Sequence, residues 1–518
     1  MTEKHISNAE TNEAISFIEK IGKKIPDPVI IFMWLLVIGF ALTAAIGGLT
    51  FETLSASGEP IVHTIKNMSE AENVRWLFDN AILKNWMAFG NGVLGVILIV
   101  MLGVGIAENS GLLNTVIKKL GTRLNHNYLA PALIFLGIMS SIATDAGYLI
   151  LIPLAGLLYA GLGKHPLVGM AAAFAGVSAG FSANLIPATP IDVIIGMNAQ
   201  VFAEAQGVPF ETSEGKTLTP ATMHYYFIFV STFMLVALGA WVTKRFVAPR
   251  LEKLSYQVPD DIAMSDFSVT PEEQKGLKAA FWGLLASLAV IGGLVWGPLA
   301  PYTNEAGQVV KPFLNNVIIL ITFVFAAVGI AFGYASGKFK NMMDVVQAMV
   351  VQMNTMGYVL VLTFFCYNFL GLLAYSGLGT YITYLGASFL TSLGLQHFPV
   401  LLIIGFIFTT AVINLVVGGL TSKWMLLGPI FIPMLYQVNP QMTPDLVAAA
   451  FRVADSSTNI ITPMMTYAGV ILAFMRKYKT DLTFGDMIMM MVPYSIAFMI
   501  VWTALLIGFF TFGIPLGF

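Results

Sequence analysis

Asp145, Asp192, Lys423, Arg452 and Asp455 stand inside otherwise apolar stretches of this chain. A charge buried among apolar residues is expensive, so each marks a binding site, an ion path or a proton relay by default. Arg452 and Asp455 are three residues apart, so on a helix they share a face and can neutralise each other. That spacing allows a buried salt bridge that only locks the fold. It equally allows a guanidinium that clamps a carboxylate, with an aspartate in reach that exchanges a proton. Asp192 lies five residues after Pro187 and close to Pro190, where it can cap opened backbone or carry a proton or cation. Trp424, next to Lys423, offers an aromatic face for a ring, or a place in the belt at the membrane surface.

These residues need elements to hold them, and the chain supplies a matched pair. Gly180-Phe181-Ser182-Ala183-Asn184-Leu185-Ile186-Pro187 answers Asp455-Ser456-Ser457-Thr458-Asn459-Ile460-Ile461-Thr462-Pro463. Each is a small, polar, proline-ended interruption of an apolar stretch. Backbone opened at that depth is tolerated only where it is buried in protein or lines a polar cavity. One break per half is the pattern of a secondary transporter whose site lies between them. Asn184 and Asn459, one in each break, are therefore candidate substrate-binding residues together with Trp424 and Arg452.

Composition agrees. With 57% hydrophobic residues, 10% charged residues and a mean hydropathy of +0.80 over 518 residues, the chain is a polytopic membrane protein in contact with the lipid bilayer. A net charge of -2 and a pI near 6.3 argue against a nucleic-acid partner. The single Cys366 excludes an internal disulfide and a cysteine metal site. The N-terminal segment lacks the pattern of a cleaved signal peptide, so the first apolar segment is expected to remain as a helix.

Apolar spans are predicted at about 27–48, 87–107, 224–245, 278–298, 313–334, 343–375 and 484–514. Residues 128–162 and 398–437 each hold two short apolar arms around a small or polar middle, the pattern of a re-entrant hairpin. Each hairpin is followed by an interrupted helix, at about 166–200 and 445–475. The expectation is an all-α fold of nine crossings and two hairpins. It comprises a cytoplasmic N-terminus (1–26), a first half (27–246), a cytoplasmic linker (247–276) and a second half (277–518). Lys20, Lys23, Lys24, Lys118, Lys119, Arg123, Lys244, Arg245, Arg250, Lys253, Lys338, Lys340, Arg476, Lys477 and Lys479 all fall on one side if the hairpins do not cross. Glu52, Glu59, Glu70, Glu72, Glu204, Glu211 and Glu214 fall on the other.

The halves correspond beyond the breaks. Ser110-Gly111-Leu112 before Leu120-Gly121 matches Ser376-Gly377-Leu378 before Leu385-Gly386, each read as a helix along the membrane surface. Tyr148 to Pro153 matches Gly428 to Pro433 on the returning arms. The first hairpin's mouth is expected inside and the second's outside, which makes the repeat inverted and suits alternating access.

Enzyme readings are weaker. Gly176-Val177-Ser178-Ala179-Gly180 fits a nucleophile pattern that needs a strand-to-helix elbow and a nearby histidine. His5, His63, His126, His165, His224 and His397 all lie near segment ends or in loops, so the glycines are better read as helix packing. Asp145 and Asp192 as an intramembrane protease pair is a remote alternative. No phosphate-cradling loop is present, since Phe210 stands where Gly215-Lys216-Thr217 would need an upstream glycine.

Nearly the whole chain resembles the p-aminobenzoyl-glutamate transporter (AbgT) family. The likeness is carried by Gly103-Val104-Gly105-Ile106-Ala107-Glu108, Ala171 to Ser178 with Ser182-Ala183-Asn184-Leu185, Pro429 to Leu435, and above all Thr458-Asn459-Ile460-Ile461-Thr462-Pro463-Met464-Met465. The resemblance implies a homodimer with a bowl open to the cytoplasm in a bacterial inner membrane. It also implies proton-coupled export of p-aminobenzoate-like aromatic carboxylates and sulfonamides, or uptake of p-aminobenzoyl-glutamate, with no cofactor. The family's functional positions fall on Asp192, Trp424, Pro444, Arg452, Asp455 and Pro463. Two departures stand out: Lys423 where glutamine is expected beside the tryptophan, and the order Pro187-Ala188-Thr189-Pro190-Ile191-Asp192. Lys423 either acts as a tethered cation at a hairpin tip or simply pairs with Asp455. If it is a tethered cation, coupling is by H+, or by Na+ only through the first tip near Ser141, Asp145 and Asn184.

Overall fold

The computed structural model describes residues 26–54, 60–87, 93–121, 128–142, 147–258, 268–303, 309–310, 312–415, 417–462, 465 and 467–518. Within them the chain is mostly helical. Six helices are long and apolar enough to cross a bilayer: Pro28–Ile46, Tyr225–Leu251, Pro271–Trp296, Val317–Ala335, Gly357–Ser376 and Phe484–Thr511. The pair Leu94–Asn109 and Leu112–Lys119, bent by 57°, makes a seventh if counted as one span.

The predicted segment at 343–375 divides in two. Asn341 caps a separate helix, Met342–Thr355, by accepting from the amides of Met343 and Asp344 while Asp344 returns a bond to the Asn341 amide. With Asp344, Gln347, Gln352 and Asn354 along it, that helix is too polar to span, and the apolar run resumes at Gly357. The all-α expectation also needs amendment. Thr50–Leu54 pairs antiparallel with Pro60–Thr64, and Tyr302–Thr303 with Val309–Val310. The first pair is rich in threonine, isoleucine and valine, which favour extended backbone, and is too short and polar to span.

The matched Ser-Gly-Leu motifs make the same turn in both halves. Gly111 and Gly377 sit at φ +85° and +75°, a region glycine enters without a Cβ clash. In both, the serine hydroxyl accepts from the leucine amide at 3.2 Å.

Two helical hairpins follow these turns. The arms of the first are Leu129–Met139, continued by Ser140–Ile142, and Gly147–Leu151, continued by Ile152–Gly161. Asp145 at its tip lies outside the described residues. The second has arms Pro399–Asn414 and Leu420–Val438, the latter holding Pro429 and Pro433. Pro399–Asn414 has 16 residues and reaches about 24 Å at ~1.5 Å per residue, short of the ~30 Å hydrocarbon core.

The first interrupted helix runs Pro166–Phe174, loosens into a wide turn over Ala175–Ala179, opens from Gly180, and resumes as Pro190–Glu204. Ala188 in the opened part has φ +54°, strained for a residue with a side chain. The second interruption starts later than predicted. Pro444–Asn459 is an unbroken helix that includes Arg452 and Asp455, the backbone opens at Ile460, and helix resumes at Ala468–Arg476. The small polar residues do not open it, and Thr458 Oγ1 bonds back within the helix, donating to the Ala454 carbonyl at 2.7 Å.

The first hairpin packs on the first interrupted helix and the second on Pro444–Asn459. Glycine makes the first contact close. A Cβ on Gly176 would clash with the Ile134 carbonyl oxygen, and one on Gly137 would stand 2.7 Å from the Val177 nitrogen. The Gly176 to Gly180 run is therefore a packing surface, as its small residues suggested.

Candidate functional site

Pro444–Asn459 carries the charges into the middle of the molecule. Arg452 and Asp455 are 1% and 0% exposed, and each faces a different neighbour. Arg452 does not pair with Asp455, although their spacing allowed it. Its Nη2 lies 2.6 Å from Asp192 Oδ1 and donates to the Ser182 carbonyl at 2.8 Å, and its Nη1 lies 3.2 Å from His224 Nδ1. Asp455 pairs instead with Lys423, whose ammonium also donates to Asn414 Oδ1. Three residues put the two side chains about 60° apart around the helix. That is enough to turn one toward the first break and the other toward the second hairpin.

The first pair is built by the opened backbone. The Ser182 carbonyl lies in the break, free to accept from a guanidinium. Asp192 sits in the first turn of Pro190–Glu204, where its Oδ2 accepts from the Thr189 amide at 2.9 Å and the Thr189 hydroxyl at 2.7 Å. The hydroxyl accepts in turn from the Asp192 amide at 3.4 Å, a reciprocal cap. One oxygen of Asp192 thus caps the helix, as one reading expected, and the other lies on Arg452. Substituting Thr189 by alanine removes the cap and is expected to destabilise the protein by about 0.5–2 kcal/mol, read as a lowered thermal unfolding midpoint.

The second pair joins the hairpin to the helix. Asn414, last residue of the outgoing arm, donates from Nδ2 to the Asp455 carbonyl and to Thr458 Oγ1, both at 2.7 Å. Its Oδ1 faces Lys423, in the first turn of the returning arm. Two buried cations and two buried carboxylates therefore balance across three helices and a break, as buried charges must.

Polar contacts also join the breaks to each other and to a hairpin. Asn459 Nδ2 donates to Ser178 Oγ at 3.1 Å, so the two interrupted helices meet there. Asn184 Nδ2 donates to Ser141 Oγ at 3.0 Å, and its Oδ1 accepts from the Ile186 amide at 2.9 Å. Trp424 is fully buried, between Phe451 at 4.7 Å and Phe202 at 5.9 Å, and its Nε1 donates to the Ile195 carbonyl at 3.0 Å. The indole is thus no surface-belt residue. Pro444 opens its helix, where a missing amide costs nothing. Pro463 lies outside the described residues.

That helix's first turn reaches a cavity of about 1580 Å³ lined by Gln200, Lys216, Thr443 and Asp445 among others. The Asp445 carbonyl oxygen is 2.8 Å from His224 Nε2. His224 and Asn414 are site residues that sequence reasoning missed. Asn414 carried a signal, an amide ending an apolar arm; His224, next to an apolar run, looked like any residue at a segment end.

The whole chain matches known proteins. The model of the AbgT transporter family covers residues 13–518. The p-aminobenzoyl-glutamate transport protein of Escherichia coli K12 is 27% identical over 514 residues, which are 99% of this chain and 97% of that protein. Among solved structures, the YdaH transporter of Alcanivorax borkumensis is similar with a TM-score of 0.85 and 35% identity, over 95% of this chain and 100% of that one. MtrF of Neisseria gonorrhoeae, described with a class of antimetabolite efflux pumps, is similar with a TM-score of 0.83 and 33% identity, over 95% and 96%. The broken helices, the buried charges and these likenesses lead to one statement: the chain is a membrane transporter that belongs to the AbgT family.

Proposed function

We propose that this chain is a proton-coupled secondary transporter that exports p-aminobenzoate-like aromatic carboxylates and sulfonamide antimetabolites. The observation that carries this reading is the placement of Arg452 and Asp455 on one buried helix, each against a different neighbour. A carboxylate or sulfonyl oxygen fits the guanidinium fork. The aniline N–H group that p-aminobenzoate and sulfonamides share is a donor, and ionised Asp455 is an acceptor one helical turn away. A proton on Asp455 removes the charge that makes it a strong acceptor and turns one oxygen into a donor, so substrate and proton compete at Asp455, which is the logic of exchange. Trp424, Phe451 and nearby methionines supply the apolar wall, and methionine repacks easily around different rings. Asn184, Asn459, Pro444 and Pro463 belong to the same substrate path, with Asp192, Asp145 and Lys423 completing the coupling groups.

A second reading is uptake of p-aminobenzoyl-glutamate, in keeping with the name of the Escherichia coli relative. The Arg452 to Asp192 pair favours it. A substrate carboxylate that takes Asp192's place on the guanidinium leaves a buried anion, which then binds a proton, so proton and substrate move together. The readings differ in the sign of coupling and in which aspartate carries it.

The remaining architecture is proposed with the function: nine crossings and two re-entrant hairpins in inverted repeats, the N-terminus in the cytoplasm, residues 247–276 as a cytoplasmic linker, and a homodimer in a bacterial inner membrane. Counterflow tests the carrier itself. Proteoliposomes preloaded with unlabelled p-aminobenzoate are expected to take up labelled p-aminobenzoate faster than empty ones, with saturation and inhibition by a sulfonamide. Linear uptake without acceleration indicates a channel and contradicts the proposal.

Lys423 fills, in this reading, the place of a coupling cation. Its ammonium lies between a carboxylate and an amide oxygen, ligands that suit a small monovalent ion. The variant Lys423→Gln is therefore expected to gain a dependence of flux on Na+ that the unaltered protein lacks. Unchanged ion dependence leaves Lys423 as a plain partner of Asp455.

A further inference from the structure

We propose that His224 is the positioning residue of Arg452, and that it works only while its Nδ1 carries no proton. The inference rests on Arg452 as the anion clamp and adds how the clamp is aimed.

The tautomer follows from the partners. The Asp445 carbonyl, 2.8 Å from Nε2, can only accept, so Nε2 carries the hydrogen. Arg452 Nη1, 3.2 Å from Nδ1, can only donate, so Nδ1 is the bare acceptor. Both ring nitrogens are used and the residue is 3% exposed, so the ring has no alternative bond to turn to. The histidine stands at the entry to Tyr225–Val242 and grips Pro444–Asn459 at two points seven residues apart: a first-turn carbonyl and the guanidinium. It thereby fixes Nη1, while Ser182 and Asp192 share Nη2. Nε of Arg452 has no partner among the described residues, so the guanidinium is held at its tip.

A second proton on the ring places an imidazolium against a guanidinium. Nδ1 then becomes a donor facing a donor, and the like charges push the clamp off its aim. The charged group that faces the ring is Arg452, with Asp192 of Pro190–Glu204 behind it; Asp445 presents its backbone carbonyl to the ring. Phe484–Thr511, packed against Tyr225–Val242, carries a single charge, Asp486, at its far end. Thr222, two residues before the histidine, holds the Phe518 carbonyl oxygen at 2.7 Å. Asp445 also lines the large cavity.

Glutamine at this position offers one acceptor and one donor at nearly the imidazole spacing and takes up no proton. The expectation is that His224→Ala raises the KM for p-aminobenzoate about tenfold or more at neutral pH, the scale of a lost charge-assisted bond, with a smaller change in kcat. His224→Gln is expected to keep KM near that of the unaltered protein, and the rise in KM on acidification that comes from Asp455 is expected to remain in it. An unchanged KM in His224→Ala, or a KM in His224→Gln raised as far as in His224→Ala, overturns the proposal.

A second measurement does not depend on transport. In protein whose other histidines are replaced, the ring 15N signals of His224 are expected to report the Nε2–H tautomer and to shift when Arg452 is replaced by methionine. The Nδ1–H tautomer, or signals indifferent to Arg452, also overturns it. If Arg452 variants transport normally while the 15N result is as expected, the clamp reading fails and the positioning contact stands.

Discussion

Arg452→Ala is expected to reduce flux of p-aminobenzoate to the background of empty vesicles, at least about a hundredfold below the unaltered protein. Arg452 is 1% exposed and joins the Pro444–Asn459 helix to Asp192, the Ser182 carbonyl and His224. Alanine removes the proposed anion clamp. It also leaves the Asp192 carboxylate buried with only Thr189 for company, a loss on the order of 3–5 kcal/mol for a broken buried pair unless the carboxylate takes a proton. The two effects separate in a second variant. Arg452→Ala with Asp192→Asn removes the orphaned charge, so thermal stability is expected to recover in large part while flux stays at background. Arg452→Lys keeps the charge without the fork and is expected to retain weak transport, roughly tenfold or more below the unaltered rate. Flux that returns together with stability in the double variant shows that Arg452 serves the fold alone.

Asp455→Asn is expected to abolish flux driven by a pH gradient and, alone, to destabilise the protein by a similar amount. The loss has a different origin. Here the orphan is the Lys423 ammonium, 1% exposed and left with the Asn414 amide oxygen. Pairing Asp455→Asn with Lys423→Gln removes both charges. Replacing a whole buried pair is often close to neutral, whereas breaking one is not, so the cycle is expected to show a coupling energy of about 2–3 kcal/mol, the upper part of the range for contacting residues. Coupling near zero in thermal or chemical unfolding denies that the pair is made. Flux is not expected to return in the double variant, because no exchangeable proton remains at Asp455.

What the sequence revealed and what it hid follow from range. Burial cost is a local property, so Asp192, Lys423, Arg452 and Asp455 stand out from their apolar neighbours by residue type alone. The Ser-Gly-Leu turns are legible for a similar reason, since Gly111 and Gly377 take a backbone angle that few other residues tolerate. Partners are not legible. The spacing of Arg452 and Asp455 says which side chains share one helix face, and the choice between Asp455 and Asp192 is made by elements far away along the chain. The start of the second break was misplaced because Ser456, Ser457 and Thr458 look like helix breakers, while Asn414, distant in sequence, binds the Asp455 carbonyl and the Thr458 hydroxyl of the helix. The small β pairs were overlooked beneath an otherwise helical pattern, and the polarity of Met342–Thr355 was masked by the apolar residues around it.

The most direct test of coupled export is flux of labelled p-aminobenzoate in proteoliposomes of known orientation, with pH and Na+ gradients imposed separately. Proton exchange at Asp455 predicts that a proton gradient opposed to the movement of substrate drives it, that a Na+ gradient does not, and that Asp455→Asn abolishes the drive while Asp192→Asn weakens binding. Movement in the same direction as protons, lost in Asp192→Asn and kept in Asp455→Asn, contradicts exchange and establishes uptake by the Arg452 to Asp192 pair.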